Sequence, residues 1–369
     1  MRKIAIIGAS YLQLPLVEKA NDMGLETHCF SWEDGAVCKE LSDFFYPISI
    51  LDKERILEVC IQIGIDGVVS IASDAAVSTA AYIAEELTLI SNNYEDSIVA
   101  TDKYLMRQRF TENDVLCPKY LIASEKYSVD HLRFPLIVKP TDRSGSRGVQ
   151  KVETLIDVKQ AVQRAQQESF TNQAIIEEYI TGIEISVESI SWEGKHYVLA
   201  FTDKVTTGSP YFVELEHHQP SRISSEIKEK VKEKTIKVLT SLNIKYGASH
   251  SEFKITDKGE VHIIEVGARM GGDFIGSTLV QLSTGYDFLK GVIDVSLGHF
   301  IEPINHENNY AGVFFICEET KHLLSVIQDK AKNSKIVEAE LADNQLRNAR
   351  CSADRSGYLV YQSQSPFKI

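Results

Sequence analysis

Short apolar runs and amphipathic stretches alternate at the start of the chain. Ile4 to Ile7 is continuously apolar, as in a strand covered on both faces, and Gly8-Ala9-Ser10 ends it. From Leu12 to Met23 apolar residues recur at helical spacing. Leu25 to Phe30 predicts a second strand, a helix follows Asp52 as far as Ile63, and Gly67 to Ser70 predicts the next strand. Ser73-Asp74 supplies N-cap chemistry for a helix through Leu87, with Asp74 serving only as a cap. This alternation implies a parallel sheet with helices on its faces, an α/β domain over residues 1–95. A dinucleotide fingerprint needs three glycines at set spacing, and Gly8 stands alone.

The pattern changes near Lys119. Phe134 to Pro140 predicts a short strand, followed by a polar loop and a returning strand from Gly148 to Val152. A helix is expected over Thr154–Glu168, then strands over Ala174–Tyr179, Glu184–Trp192 and His196–Asp203. A charged helix spans about Ser225–Leu242, and a hairpin runs from Ser249 to Val266. This order predicts α+β lobes, a small one over about residues 115–182 and a large one over about 183–300, within a region 96–300. Residues 301–369 read as a small appended α+β segment closing with Gly357-Tyr358-Leu359-Val360.

A net charge of −13 would repel a polyanion or an acidic membrane, so neither nucleic acid nor membrane is expected as a partner. The cysteines at 29, 38, 60, 117, 317 and 351 form no C-x-x-C pair, as expected of free thiols in a reducing compartment. Met1-Arg2-Lys3 precedes an apolar run too short for a signal sequence, and no stretch nears the roughly 18 apolar residues of a membrane span. A cytoplasmic location is expected.

Four features carry candidate chemistry. Glu252 and Glu265 lie equidistant from Lys258-Gly259; a two-residue turn there makes them directly opposed on one face. Like charges so placed, beside Phe253, Ile264 and Val266, call for a cation, and oxygen ligands favour magnesium. A solvated surface pair, or a three-residue turn that slips the register, is the alternative. The second feature is Lys139, which ends an apolar run where an ammonium needs an anion; after it Thr141 to Gly148, including Ser144, Gly145 and Ser146, offers N–H groups and hydroxyls to phosphate. It is not a Walker loop. The third is Glu177-Glu178-Tyr179-Ile180 with Glu184 beyond, whose acids can accept from adenine and ribose, although an edge strand explains Glu178 equally. The fourth is Arg269, four residues past Glu265 and followed by Gly271-Gly272, a fork suited to carboxylate or phosphate.

Taken in order, Val-Lys-Pro, Ser-Gly-Ser-x-Gly-Val, Glu-Glu-Tyr-Ile with Gly-x-Glu, and two late glutamates before Arg-x-Gly-Gly resemble the ATP-grasp superfamily over about residues 1–300. The amino-acid ligase and carbamoyl-phosphate-synthase-like branch is the nearest likeness, and Asp354 to Val360 is similar to the end of that branch. The resemblance implies an ATP-grasp fold with a Rossmann-like pre-ATP-grasp domain, a two-lobed ATP-binding region and a small C-terminal α+β segment. It implies ATP and one or two Mg²⁺ as cofactors, with Mn²⁺ as a substitute. By it, Lys103 and Lys139 touch phosphate and adenine, Ser144 to Gly148 covers the phosphates, Glu177 to Ile180 reads adenine and Glu184 binds ribose. Glu252 and Glu265 hold the metal, Arg269 steadies an acyl phosphate, and Arg269, His217, Gly271 and Gly272 border the substrates. Lys139 and Arg269 are the catalytic candidates.

Many relatives carry Asn two residues after the second glutamate, where this chain has Gly267, leaving a second metal ion with fewer ligands. The implied reaction joins a small carboxylate, such as an amino acid, to an amine through an acyl phosphate; a homodimer is common in the family. Bicarbonate activation is the rival chemistry, though the Pro-Arg-Pro-His run of purine-pathway carboxylases is missing, and a non-catalytic ATP sensor is the rival class. Adjacent histidines on a strand point oppositely, so His217 and His218 read as surface residues unless the resemblance gives one of them a substrate role. His250 shares a face with Glu252. Lys204, Arg143 and Arg147 are weaker phosphate candidates.

Overall fold

The computed structural model describes residues 1–369 apart from 125–126, 329–332, 344 and 368–369. Three sheets organise it. The first contains β1 (Lys3–Ile7), β2 (Glu26–Phe30), β3 (Phe44–Tyr46) and β4 (Gly67–Val69), all parallel in the order β3-β2-β1-β4. Helices Leu14–Asp22, Lys53–Ile63 and Asp74–Glu86 connect or follow these strands and bury both sheet faces, as the unbroken apolar runs predict. Strand order reverses between β1 and β4, so the loops after β1, β2 and β4 open at the carboxyl edge where ligands of such sheets gather.

The second sheet is antiparallel and small: β5 (Tyr120–Ile122), β6 (Leu136–Pro140), β7 (Gln150–Val152) and β8 (Ala174–Glu178), ordered β5-β8-β6-β7. Helix Leu155–Glu168 lays Val158, Ala161, Val162 and Ala165 on it.

The third sheet has eight strands: β9 (Ile183–Trp192), β10 (Lys195–Thr206), β11 (Glu214–Gln219), β12 (Gly247–Ile255), β13 (Val261–Gly267), β14 (Tyr310–Ile316), β15 (Ile336–Leu341) and β16 (Gly357–Ser363). Their order is β13-β12-β9-β10-β11-β14-β16-β15. The last seventy residues therefore do not stand apart as an appendage. β14 pairs with β11, and β16 lies between β14 and β15, so one ladder runs from the hairpin of the two glutamates to the C-terminal strands.

That hairpin corrects one expectation and keeps its consequence. The turn has three residues, Asp257, Lys258 and Gly259, closed by the Thr256 N–H donating to the Glu260 carbonyl at 3.0 Å; Gly259 takes φ +74°. This slips the register by one, and Phe253 pairs with Ile263. A bulge at Ile264 then restores it, and Glu252 pairs with Glu265.

Because β16 is internal to the sheet, ending the chain after Ser356 leaves the edges of both β14 and β15 unpaired. Such a truncation is expected to abolish the cooperative thermal transition seen by circular dichroism; full-length melting behaviour would show that β16 is dispensable.

Candidate active site

Where the second and third sheets face each other, a cavity of about 190 Å³ opens. Lys139 from β6, Glu177 to Ile180 from the end of β8, Glu184 from β9, Lys204 from β10, and Glu252 and Glu265 from the hairpin all line it. So do Lys103, Ser144, Gly145, Ser146, His250, Gly267 and Arg269. Gly148 does not: its α-carbon backs onto Pro140 and Glu168, and an added methyl group would stand 2.9 Å from Pro140. Gly145, Ser146 and Gly148 all adopt positive φ, so the loop is a chain of left-handed turns rather than an ordinary hairpin.

The charges interlock in three groups. Lys204, buried on β10, is surrounded by Glu252 at 2.6 Å, Glu184 at 3.0 Å and Glu214 at 3.4 Å. Burial works against its charge, but Glu252 and Glu184 outweigh it and raise its pKa well above that of an ordinary lysine. Burial would likewise favour the neutral acid at Glu252, and Lys204 and His250 reverse that, holding its pKa well below the usual range. His250 Nε2 lies 3.2 Å from Glu252, while its Nδ1 meets the fully buried Glu188. Burial lowers and Glu188 raises its pKa, which ends at about 9, so the imidazole is a cation at neutral pH. Gly271 completes this corner: its N–H donates to Glu188 at 3.0 Å, and a methyl group there would stand 2.7 Å from both Glu188 and His250.

The second group centres on Glu265, whose Oε1 is 2.9 Å from Lys103 Nζ; that ammonium also donates to the Arg143 carbonyl at 2.7 Å. Lys103 begins the helix Lys103–Glu112, capped by Asp102. One turn on, Arg107 is wholly buried. Its Nη2 donates to the Ile264 carbonyl at 2.5 Å, which fixes the bulged residue, and its Nε stands 2.8 Å from Glu177. The other oxygen of Glu177 is 2.8 Å from Lys139. Burial opposes the Glu177 charge, yet Arg107 and Lys139 keep its pKa low; burial lowers that of Lys139. The carboxylate of Glu177 thus serves the two cations, and that of Glu178 accepts from the backbone N–H of Arg133 at 3.0 Å. The expectation that these side chains accept from adenine meets carboxylates already engaged.

The third group corrects Asp74. Ser73 occupies the N-cap position without a side-chain cap bond, and Asp74 is more than a cap. It receives Arg269 through Nε at 2.7 Å and Nη2 at 2.9 Å, tying the first sheet's helix to the turn after β13. Burial disfavours both charges, and their mutual attraction wins, lowering the pKa of Asp74 and raising that of Arg269. Gly267 lies beneath this pair: an added methyl group would stand 3.0 Å from the guanidinium carbon and 3.1 Å from Asp74. A side chain at 267 would displace the fork.

Beyond this wall a second cleft of about 640 Å³ shares Lys204, Glu214, His250, Glu252 and Arg269 with the first. The loops after β1, β2 and β4 line it, with His217, Gly272, Asp273 and Arg355. Neither adjacent histidine is a surface residue. His217 is 1% exposed beside Phe315, its Nδ1 has no partner among the described residues, and burial with Lys204 nearby holds its pKa well below normal. His218, on the opposite face, bonds Glu216 and Tyr361. Arg355 forks onto Asp273 at 2.8 and 2.9 Å.

Among the described residues no group of three or more His, Cys, Asp or Glu forms a metal cage. Two opposed carboxylates suit a magnesium ion that draws its other ligands from phosphate and water, so Glu252 and Glu265 fit such an ion. Sequence reasoning missed Arg107, Asp74 and Glu188. Each meets a partner distant in the chain, which no local pattern reveals.

Residues 132–277 match the ATP-grasp domain family. Among curated proteins, D-alanine–D-alanine ligase of Christiangramia forsetii is 34% identical over 152 residues, 40% of this chain and 45% of that enzyme. Alanine–anticapsin ligase of Bacillus subtilis is 27% identical over 272 residues, 63% of this chain and 57% of that enzyme. Each match thus spans less than two thirds of the relative's own length. Among solved structures, L-amino acid ligase from Bacillus licheniformis superposes with a TM-score of 0.83 at 21% identity, covering 99% of this chain and 94% of that one, a likeness of fold.

Arg107→Met would strand Glu177 against Lys139 alone in a dry site. Breaking one side of such a buried pair costs about 3–5 kcal/mol. Urea unfolding should show that loss, and adding Glu177→Gln should restore part of it; a single variant as stable as the parent would refute the role.

Proposed function

We propose that this chain, which carries an ATP-grasp domain, is an ATP- and Mg²⁺-dependent ligase that joins a small carboxylic acid to an amine through an acyl phosphate. The carrying observation is the convergence of Lys103, Lys139, Glu252, Glu265 and Arg269 on one cavity that opens into a second, larger cleft. ATP-grasp ligases use ATP with magnesium in general, and the first cavity offers what that requires: cations for phosphate and paired carboxylates for metal.

In this reading the triphosphate lies against Lys103 and Lys139 under the loop Ser144–Gly148. Adenine takes backbone groups at Tyr179 and Ile180, and ribose takes Glu184. Glu252 and Glu265 would hold the magnesium, which when bound neutralises phosphate charge and orients the triphosphate. The ammonium of Lys103, now 2.9 Å from Glu265, is placed to pass to phosphate oxygen. The substrate carboxylate attacks the γ-phosphorus and the bond to ADP breaks; the amine then attacks the acyl carbon and phosphate leaves. Arg269, held by Asp74, donates to the anionic oxygens that develop in both steps. Loop closure excludes water from the acyl phosphate.

The second cleft, with His217 and Gly272 in its wall, receives the acid and the amine, while Gly271 lies behind it against Glu188. Its volume falls in the roughly 300–1,000 Å³ range of organic ligand pockets, which favours substrates larger than bicarbonate. Mere nucleotide sensing needs neither Arg269 nor its partner Asp74. No helix among the described residues is long and apolar enough to cross a membrane. We place the enzyme in the cytoplasm, consistent with six free cysteines, and expect a homodimer.

The test is ADP and phosphate release over pairs of amino acids with Mg²⁺. Release should depend on both an acid and an amine; release independent of either would overturn the ligase reading. Glu265→Gln should lower turnover at least about a hundredfold, on the scale of losing a preorganised electrostatic group. Arg269→Ala should retain ATP binding by calorimetry and lose turnover to a similar degree. A large loss of ATP affinity instead would count against its place at the acyl phosphate.

A further inference from the structure

The larger cleft has an outer end that none of these roles uses. β1 and β2 are neighbouring parallel strands in register, Ile7 beside Phe30, so the loops that follow them emerge side by side at the carboxyl edge of the sheet. They bring Tyr11, Trp32 and Asp34 into the cleft wall.

Both rings are unusually open for their size, Tyr11 at 62% and Trp32 at 51% exposed. Among the described residues neither ring stacks on another ring or carries a cation over its face, although Arg355 and Asp273 lie near the Tyr11 hydroxyl. The phenylalanine of this cleft is engaged: Phe170 carries the Arg143 guanidinium 4.2 Å from its centroid.

The carboxylates divide in the same way. Asp74 has Arg269, Asp273 has Arg355, and Glu214 and Glu252 share Lys204. Asp142 accepts from Ser169 and Thr171. Asp34 alone among the acids of this cleft has no hydrogen-bond or ion-pair partner among the described residues. Two free aromatic faces and an uncommitted carboxylate in one cleft wall suit a cation, through the ring quadrupoles and one charge-assisted bond.

We propose that the amine substrate carries a second cationic group, as a diamino acid does, and that Asp34 with Trp32 and Tyr11 receives it. This rests on the ligase reading for its place in the reaction. The reacting amine must lose a proton to attack, so the group held at Asp34 is a different nitrogen, kept charged and away from the acyl carbon.

Binding can be read without turnover. The chain has two tryptophans, and Trp192 is stacked on Phe300 with centroids 5.5 Å apart, so Trp192→Phe leaves Trp32 as sole reporter. The difference between the parent and Trp32→Phe isolates the same signal if Trp192→Phe does not fold. With Mg²⁺ and a non-hydrolysable ATP analogue, lysine should quench Trp32 saturably. Norleucine, of the same length without the charge, should bind at least tenfold more weakly, and Asp34→Asn should bring lysine to the norleucine level.

Equal affinity for lysine and norleucine would overturn the proposal. So would an Asp34→Asn variant that still prefers lysine, tighter binding of phenylalanine, or no saturable response to any of the three. A chain that shows the lysine preference yet never releases ADP with any acid would sink the ligase reading and leave this site standing.

Discussion

Two carboxylates forced to face each other across a β-ladder dominate this molecule. Glu252 and Glu265 are neutralised from separate directions, the first by Lys204 and His250, the second by Lys103. Those cations come from three different parts of the chain, so the opposed pair holds strands β10 and β12 and the helix after Asp102 in mutual register. The opposition itself depends on one bulged residue, Ile264, whose carbonyl is held by the buried Arg107. Arg107 also reaches Glu177 and, through it, Lys139 on the other sheet. The hairpin glutamates and Lys139 are thus positioned by the same guanidinium.

Such a site stores its charge in pairs. Nearly every cation facing the first cavity is matched to a carboxylate, which keeps buried ionisation affordable in a chain of net charge −13. Anionic phosphate and a divalent cation would exchange these partners rather than create new charge. In the proposed reaction Lys103 would pass from carboxylate to phosphate.

Much of this was legible in the sequence. Parallel strands in the first ninety residues, the β6 lysine, the glycine-serine loop and the two glutamates follow from apolar periodicity and from charges stranded in apolar runs. The hairpin shows the limit. Asp257-Lys258-Gly259 announces a turn, but whether two or three residues make it depends on Gly259 adopting φ +74°, and the compensating bulge depends on Arg107 far upstream. The C-terminal segment was legible as α+β with a closing strand and not as part of the large sheet, because ladder order is a long-range property. Asp74 read as a cap because a helix-start aspartate has a sufficient local explanation; its fork to Arg269 crosses 195 positions.

That fork also bears on how such chains can be recombined. The helix carrying Asp74 and the turn carrying Arg269 belong to different structural units, yet removing either leaves the other's charge without its partner. A chimera that imports the first ninety residues from a homologue lacking the aspartate would strand a guanidinium, and one importing only the later turn would strand a carboxylate. Gly267 tightens the linkage, since the residue beneath the fork must stay small. Lineages that shuffle these units are therefore expected to inherit the acid, the glycine and the arginine as a set.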